Sequence, residues 1–321
     1  MMKKYDVVII GSGLGGMVCG TILAKEGKRI CVIEKNEQIG GSLQTFKREG
    51  VTFDTGVHYI GGLSKENSLY KIFNYLGIMN RLETVMMNEE GFDVIAFKND
   101  EGEYPHGMGY ENYKRILFAR FPNDKTAIET YCRDMKRICD SIPLYNLREG
   151  EPQDMFSFTT GTKQYFEQLT SNKKLRNVLA GNNLLYAGTD KTPLYVHALV
   201  VNSYIESAYK IKNGGDHIVK LMARIIKESG GDILRKQEVK KIHVENGNAE
   251  YVELENGENQ IDCFMNALNR QDEAKLLLHI STIDLDRVNW ALVELEDDED
   301  GELDPLEWSL LLNKYLLFCL G

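Results

Sequence analysis

The chain has 321 residues, 43% of them hydrophobic and 27% charged, ordinary usage for a soluble globular protein with material for roughly two domains. Its formal net charge of −10 excludes a nucleic-acid groove, which needs a basic stripe to hold phosphates. Cys19, Cys31, Cys132, Cys139, Cys263 and Cys319 are scattered without a CxxC pair, a spacing that suits reduced thiols rather than a disulfide framework. MMKKYD runs directly into a strand pattern, with no apolar region of a signal peptide, and no apolar run reaches transmembrane length. The expectation is a cytoplasmic protein.

Tyr5 to Ile10 (YDVVII) is a short β-branched run, as in a buried parallel strand. GSGLGG follows, and MVCGTILAKEGK then shows helical periodicity, with Val18, Ile22 and Leu23 on one face and Gly27 as the stop. RICVI, from Arg29 to Ile33, predicts a second strand closed by Glu34. Together these form a βαβ unit whose glycine turn is Gly11, Ser12, Gly13, Leu14, Gly15 and Gly16. Gly11 permits the tight turn, Gly13 lets the backbone approach a pyrophosphate, and Gly16 lets the helix lie close to the strand. The helix N-terminus offers N–H groups and partial positive charge to phosphates. Glu34, followed by Lys35, is placed to accept hydrogen bonds from an adenosine ribose. This much fits NAD and FAD equally.

The next stretch, NEQIGGSLQTFKREGVTFDTGVHYIGG, adds a second glycine pair at Gly40-Gly41 directly after the Glu34 strand. Here the sequence resembles the flavin-dependent amine oxidase and phytoene desaturase superfamily. Through GGSLQTF and FDTGVHYIG it is most similar to the branch of retinol saturases and carotenoid isomerases. The resemblance implies FAD against Gly40, Gly41 and Ser42, the last standing where many relatives carry arginine. It also places Asp54 to Tyr59 near the flavin and substrate entrance. His58 and Tyr59 read there as hydrogen-bonded wall residues, with a proton-donor role as the sharper alternative.

From Ser64 to about Tyr209 helices alternate with short strands. NSLYKIFNYLGI carries Leu69, Ile72, Phe73 and Leu76 at helical spacing, FDVIAFKNDEGEYPHG reads as a hairpin turning at Asn99 to Gly102, and TAIETYCRDMKRICDSIP is an amphipathic helix ended by Pro143. The Met and Tyr stripe of that helix reads as core. The resemblance makes this region a substrate domain for long apolar polyenes. Gly214-Gly215 then precedes a helix with Ile218, Leu221 and Ile225 on one face. ILRKQEVKKIHVENGNAEYVELENGENQI alternates like a β-meander, turning at Asn246-Gly247 and Asn256-Gly257. By resemblance, the backbone at Val239 lies against the adenine.

The expected fold class is α/β: a Rossmann-like FAD-binding βαβ domain (1–63 and 210–268), a mixed α+β substrate domain (64–209), and a short helical C-terminal segment (269–321). The resemblance covers about residues 5–262, and the closing glycine-rich segment of relatives has no counterpart, so a truncated, fused or diverged version is expected. In its place stands EDDEDGELDPLE, where eight carboxylates fall within Glu294 to Asp304. Aligned on Gly301, Glu296, Asp298, Asp300, Asp304 and Glu307 take the ligand positions of an EF-hand, with the Glu302 carbonyl between them. Glu296 departs from the usual aspartate, and a solvated acidic linker is the plain alternative.

The functional expectation is therefore an FAD-dependent oxidoreductase acting on an apolar polyene, with Ca²⁺ as a second candidate ligand. The alternative is a catalytically inactive flavin-fold remnant serving as a calcium-responsive module. An NAD-dependent enzyme is disfavoured by Gly40-Gly41. A nucleic-acid partner is not expected, while peripheral membrane contact and oligomeric state stay open.

Overall fold

The computed structural model describes residues 5–98, 100–150, 152–245, 248–255 and 260–262. In chain order it begins with β1 (Val7–Ile10), α1 (Leu14–Lys25) and β2 (Ile30–Glu34), then the ribbon β3 (Thr45–Arg48) and β4 (Val51–Asp54). β5 (Ile60–Gly61), α2 (Ser68–Leu76), β6 (Thr84–Met86) and the hairpin β7 (Asp93–Ala96) and β8 (Glu103–His106) come next. Helices α3 (Tyr110–Arg120), α4 (Lys125–Asp140), α5 (Met155–Thr159), α6 (Thr162–Leu169), α7 (Lys173–Leu179) and α8 (Leu194–Glu206) follow. The remainder is β9 (Ala208–Ile211), α9 (Asp216–Glu228), β10 (Asp232–Arg235), β11 (Val239–Glu245), β12 (Asn248–Leu254) and β13 (Gln260–Asp262). Among the described residues, 5–56, 76–82 and 213–262 form one compact unit, and 57–75 and 83–212 form the other.

The first unit is built in layers. Its central sheet has the order β1-β2-β10, all parallel, with Val7 opposite Ile30 and Asp232 opposite Cys31. β2 lies in the middle, and all five of its residues are buried, which is why it reads as an unbroken apolar run. One face of the sheet packs on the β11–β13 meander through Tyr5, Cys31, Ile33, Val252 and Leu254. The other face takes α1, buried on all sides from Leu14 to Ala24, and α9 beside it. At the end of α1 the Lys28 and Gly27 N–H groups bond back to the Leu23 and Ala24 carbonyls, the Schellman stop that Gly27 marks in the sequence.

Asp232–Arg235 corrects the sequence reading. ILRK reads as the first strand of the meander, but it joins the central sheet alongside β2. The meander itself is antiparallel and consists of β11, β12 and β13. On α9 the buried apolar positions are Ile218, Val219, Leu221, Met222, Ala223 and Ile226, with Ile225 at the margin of that face.

In the second unit, β5, β9 and β6 form a small antiparallel sheet, and β7 pairs with β8. The hairpin joins Ala96 to Glu103 across a loop spanning the expected turn. α4 ends at Asp140, ahead of Pro143, and buries Tyr131 and Met135 completely, so its stripe is core as the spacing predicts. α8 is buried nearly all round, from Leu194 through Ile205.

Candidate dinucleotide site

The turn between β1 and α1 separates three glycines by function. Gly11 has φ +97°, a conformation open to glycine and costly for other residues. A Cβ on Gly16 would lie 2.3 Å from the Gly11 carbonyl oxygen and 3.2 Å from Ile9 Cγ2, so only glycine lets α1 approach β1 this closely. A Cβ on Gly13, in contrast, would meet nothing within 4 Å. The space beside Gly13 therefore leaves room for a group to approach the backbone of the turn.

Gly13 is also the cap of α1, and no side chain satisfies the first turn. The opening N–H groups of a helix have no intrahelical acceptor, and they point with the helix dipole at whatever lies ahead. The second glycine pair is packed against this turn. Gly40 N–H donates to the Ser12 carbonyl at 3.0 Å, and a Cβ on Gly41 would come within 3.2 Å of Gly13 Cα. Two backbone segments therefore run side by side, with Ser42 exposed at the rim.

Glu34 is 6% exposed and held on both oxygens. Its Oε2 accepts from the Ser12 N–H at 3.0 Å and from the Ser12 hydroxyl, while Oε1 accepts from the Asn36 N–H at 2.8 Å. A carboxylate has about four acceptor positions, so one remains for a ribose hydroxyl. Ser12 thus acts on Glu34 rather than outward, which the motif alone does not reveal. Lys35 is exposed. Val239 opens β11 opposite Leu254 and packs at the edge of the meander core.

The FDTG phrase fastens the ribbon to α9 inside the same unit. Asp54 Oδ1 accepts from the Gly215 N–H at 2.7 Å, and the Thr45 hydroxyl donates to Asp216 at 2.9 Å. His58 and Tyr59 belong to the other unit. His58 is exposed and its carbonyl accepts from Lys210 Nζ at 2.8 Å. The Tyr59 hydroxyl donates to Asp93 at 2.8 Å, and burial followed by that carboxylate pushes its phenol well above the usual range. The Tyr59 hydroxyl is thereby satisfied, and its ring is in contact with those of Phe92 and Tyr204.

A pocket of about 90 Å³ in the second unit is lined by polar groups including Asn67, Lys136, Asp140, Asn202 and Glu206. Sites for drug-sized apolar ligands run to about 300–1,000 Å³, so this pocket is too small and too polar for a polyene. The EF-hand-like residues Glu296, Asp298, Asp300, Glu302, Asp304 and Glu307 lie outside the described residues. Among those described, no group of three or more His, Cys, Asp or Glu is arranged to hold a metal ion, and no helix is long and apolar enough to cross a membrane.

Sequence reasoning gives no chemical role to His197, which lies in an apolar segment comparable to one in the resembling family, and does not single out His106. His197 is fully buried in α8 between two tyrosine hydroxyls, at 2.8 Å from each. His106 is 4% exposed, and neither ring nitrogen finds a partner among the described residues. The available signal for His197 was one polar residue inside the apolar run LYVHALVV.

These features define a Rossmann-type dinucleotide-binding protein. Residues 9–76 match the model of the NAD(P)-binding Rossmann-like domain. A redesigned putrescine oxidase shares the fold with a TM-score of 0.58 at 17% identity, covering 81% of this chain and 56% of its own. The all-trans-retinol 13,14-reductase of Macaca fascicularis is 28% identical over 82% of this chain and 46% of that protein. The chloroplastic prolycopene isomerase of Daucus carota is 26% identical over 79% of this chain and 44% of its own length. The chain is thus similar in sequence to retinol 13,14-reductases and prolycopene isomerases. It spans a little under half the length of the curated relatives it matches.

Proposed function

We propose that this protein binds FAD and acts as an oxidoreductase or isomerase on an apolar polyene. The observation that supports this most directly is the open space at Gly13, framed by the uncapped start of α1, the Gly40-Gly41 pair and the fixed Glu34 carboxylate. The residues present fit the group. Backbone N–H groups of the glycine turn would hold the diphosphate, Glu34 the ribose, and Val239 the adenine edge. When bound, a flavin supplies two-electron hydride chemistry that side chains cannot provide.

The protein's own part is positional. Ser12 and Asn36 hold the Glu34 carboxylate in one orientation before a ligand arrives, so little ordering is left to the binding step. The Ser12 contact with Gly40 keeps the second glycine segment in register with the first. A retinol- or lycopene-class polyene is the substrate class suggested by the names of the relatives. Protein loaded with FAD, reduced, and mixed anaerobically with all-trans-retinol or a cis-lycopene is expected to change the polyene's absorption spectrum. Recovery of both polyenes unaltered from flavin-loaded protein would sink this reading.

A further inference from the structure

Glu34 closes β2 with its two carboxylate oxygens used unequally. Oε2 accepts twice from Ser12, through the N–H at 3.0 Å and through the hydroxyl, which fills both of its acceptor positions. Oε1 accepts once, from the Asn36 N–H at 2.8 Å. Among the described residues the spare acceptor position of the carboxylate therefore lies on Oε1, beside the Asn36 peptide. Whatever orients that peptide orients the position a ligand hydroxyl would take.

The Asn36 peptide is held from the link between β10 and β11, within the same unit. Its carbonyl accepts from the Lys236 N–H at 3.1 Å, and the next N–H along, of Gln237, donates to the Glu34 carbonyl at 3.0 Å. Two successive amides of the link thus close on the tail of β2. They do so because Lys236 has φ +57°, a left-handed conformation that is costly for a residue with a Cβ. In extended backbone successive N–H groups point to opposite sides, so the pairing of Arg235 with Glu34 could not be followed by two bonds in a row. Lys236 Nζ also lies 3.1 Å from Glu37 Oε1, and the Arg235 guanidinium donates to the Glu37 carbonyl at 3.2 Å. These side chains are exposed, where an ion pair is worth little, so the backbone bonds form the latch. A left-handed residue other than glycine, held in place by its surroundings, is a recurrent mark of binding sites.

We propose that Lys236 is a positioning residue for a nucleotide ribose: its left-handed turn, acting through the Asn36 peptide, aims the one free acceptor of Glu34 at a single ribose hydroxyl. Resting on the cofactor reading above, the latch makes that contact one-sided. A carboxylate with both oxygens open can take the two hydroxyls of a ribose together. Glu34, with Oε2 filled by Ser12, takes one on Oε1, and the other hydroxyl finds no acceptor on it.

ADP carries the adenosine and diphosphate of FAD and serves as the probe, titrated by calorimetry into the full chain beside 2′-deoxy-ADP and 3′-deoxy-ADP. One analogue is expected to bind about 10- to 100-fold more weakly than ADP, the size of a hydrogen bond to a charged group, and the other as tightly as ADP. Equal affinity for all three, or the same loss in both analogues, overturns the single acceptor. Lys236→Pro removes the N–H and forbids the left-handed turn. It is expected to speed amide exchange at Asn36 and to erase the difference between the two analogues. Lys236→Gly discards the same side chain and its ion pair but permits the turn, so slow exchange and the difference should both persist. If the proline variant does not fold, Lys236→Val, whose branched Cβ opposes the turn, takes its place with the same expectations. A variant that weakens all three nucleotides by one factor and keeps the difference overturns the positioning role, because a merely structural residue would do the same. Folded wild type that binds none of the three overturns the cofactor reading. Exchange at Asn36 then decides the latch alone, and unchanged exchange without the left-handed turn overturns it.

Discussion

His106 and His197 are placed where an imidazole resists protonation. Burial holds His106 down to about 4 and His197 to about 3, whereas both titrate near the ordinary 6.5 once the chain unfolds. Between those values the unfolded chain takes up protons that the folded core refuses. Stability from these groups is therefore complete above about 6.5 and falls as pH drops toward 4 and then 3. Burial raises Glu206, which opposes the trend, so the comparison needs a variant that removes one histidine alone. His106→Leu is expected to raise the urea midpoint more at pH 5 than at pH 7, with a gain of about 1–3 kcal/mol where the orphaned ring nitrogens no longer count. An equal change at both pH values would contradict the assignment.

At the scale of elements, Asp54 links the β3–β4 ribbon to the start of α9. Its carboxylate takes the Gly215 N–H in a buried setting, so Asp54→Ala leaves that donor without an acceptor. The expected cost is about 1–3 kcal/mol, read as a lower melting temperature with faster amide exchange at Gly215. Unaltered exchange at Gly215 would place the anchor elsewhere. The βαβ unit was legible in the sequence because its information is local: a β-branched run, three glycines with separate steric reasons, and an acid closing the next strand. β10 was not. Its pairing with β2 joins Asp232 to Cys31 across most of the chain, and nothing in ILRK distinguishes a parallel sheet strand from a meander strand. Short helices such as α5 and α7 offer too few turns for a period to show. Of the site, the glycines and Glu34 could be read directly, but the use of Ser12 to fix Glu34 depends on side-chain direction. The His197 network brings together Tyr131, Tyr186 and a helix residue through tertiary packing, which spacing alone does not encode.

At the scale of the molecule, the chain carries a complete glycine cradle while spanning under half the length of its curated relatives. The central claim is that this cradle, built entirely from residues of the first unit, binds FAD. Titration of the purified protein with FAD, followed by flavin fluorescence and visible absorption, tests it most directly, with two glycine variants as controls. Wild type should bind saturably. Gly13→Ala should keep the wild-type melting temperature and lose affinity, because its methyl enters only the open space. Gly16→Ala should destabilise the fold by about 1–3 kcal/mol through overpacking. Absence of saturable binding by folded wild-type protein, or wild-type affinity in Gly13→Ala, would contradict the account.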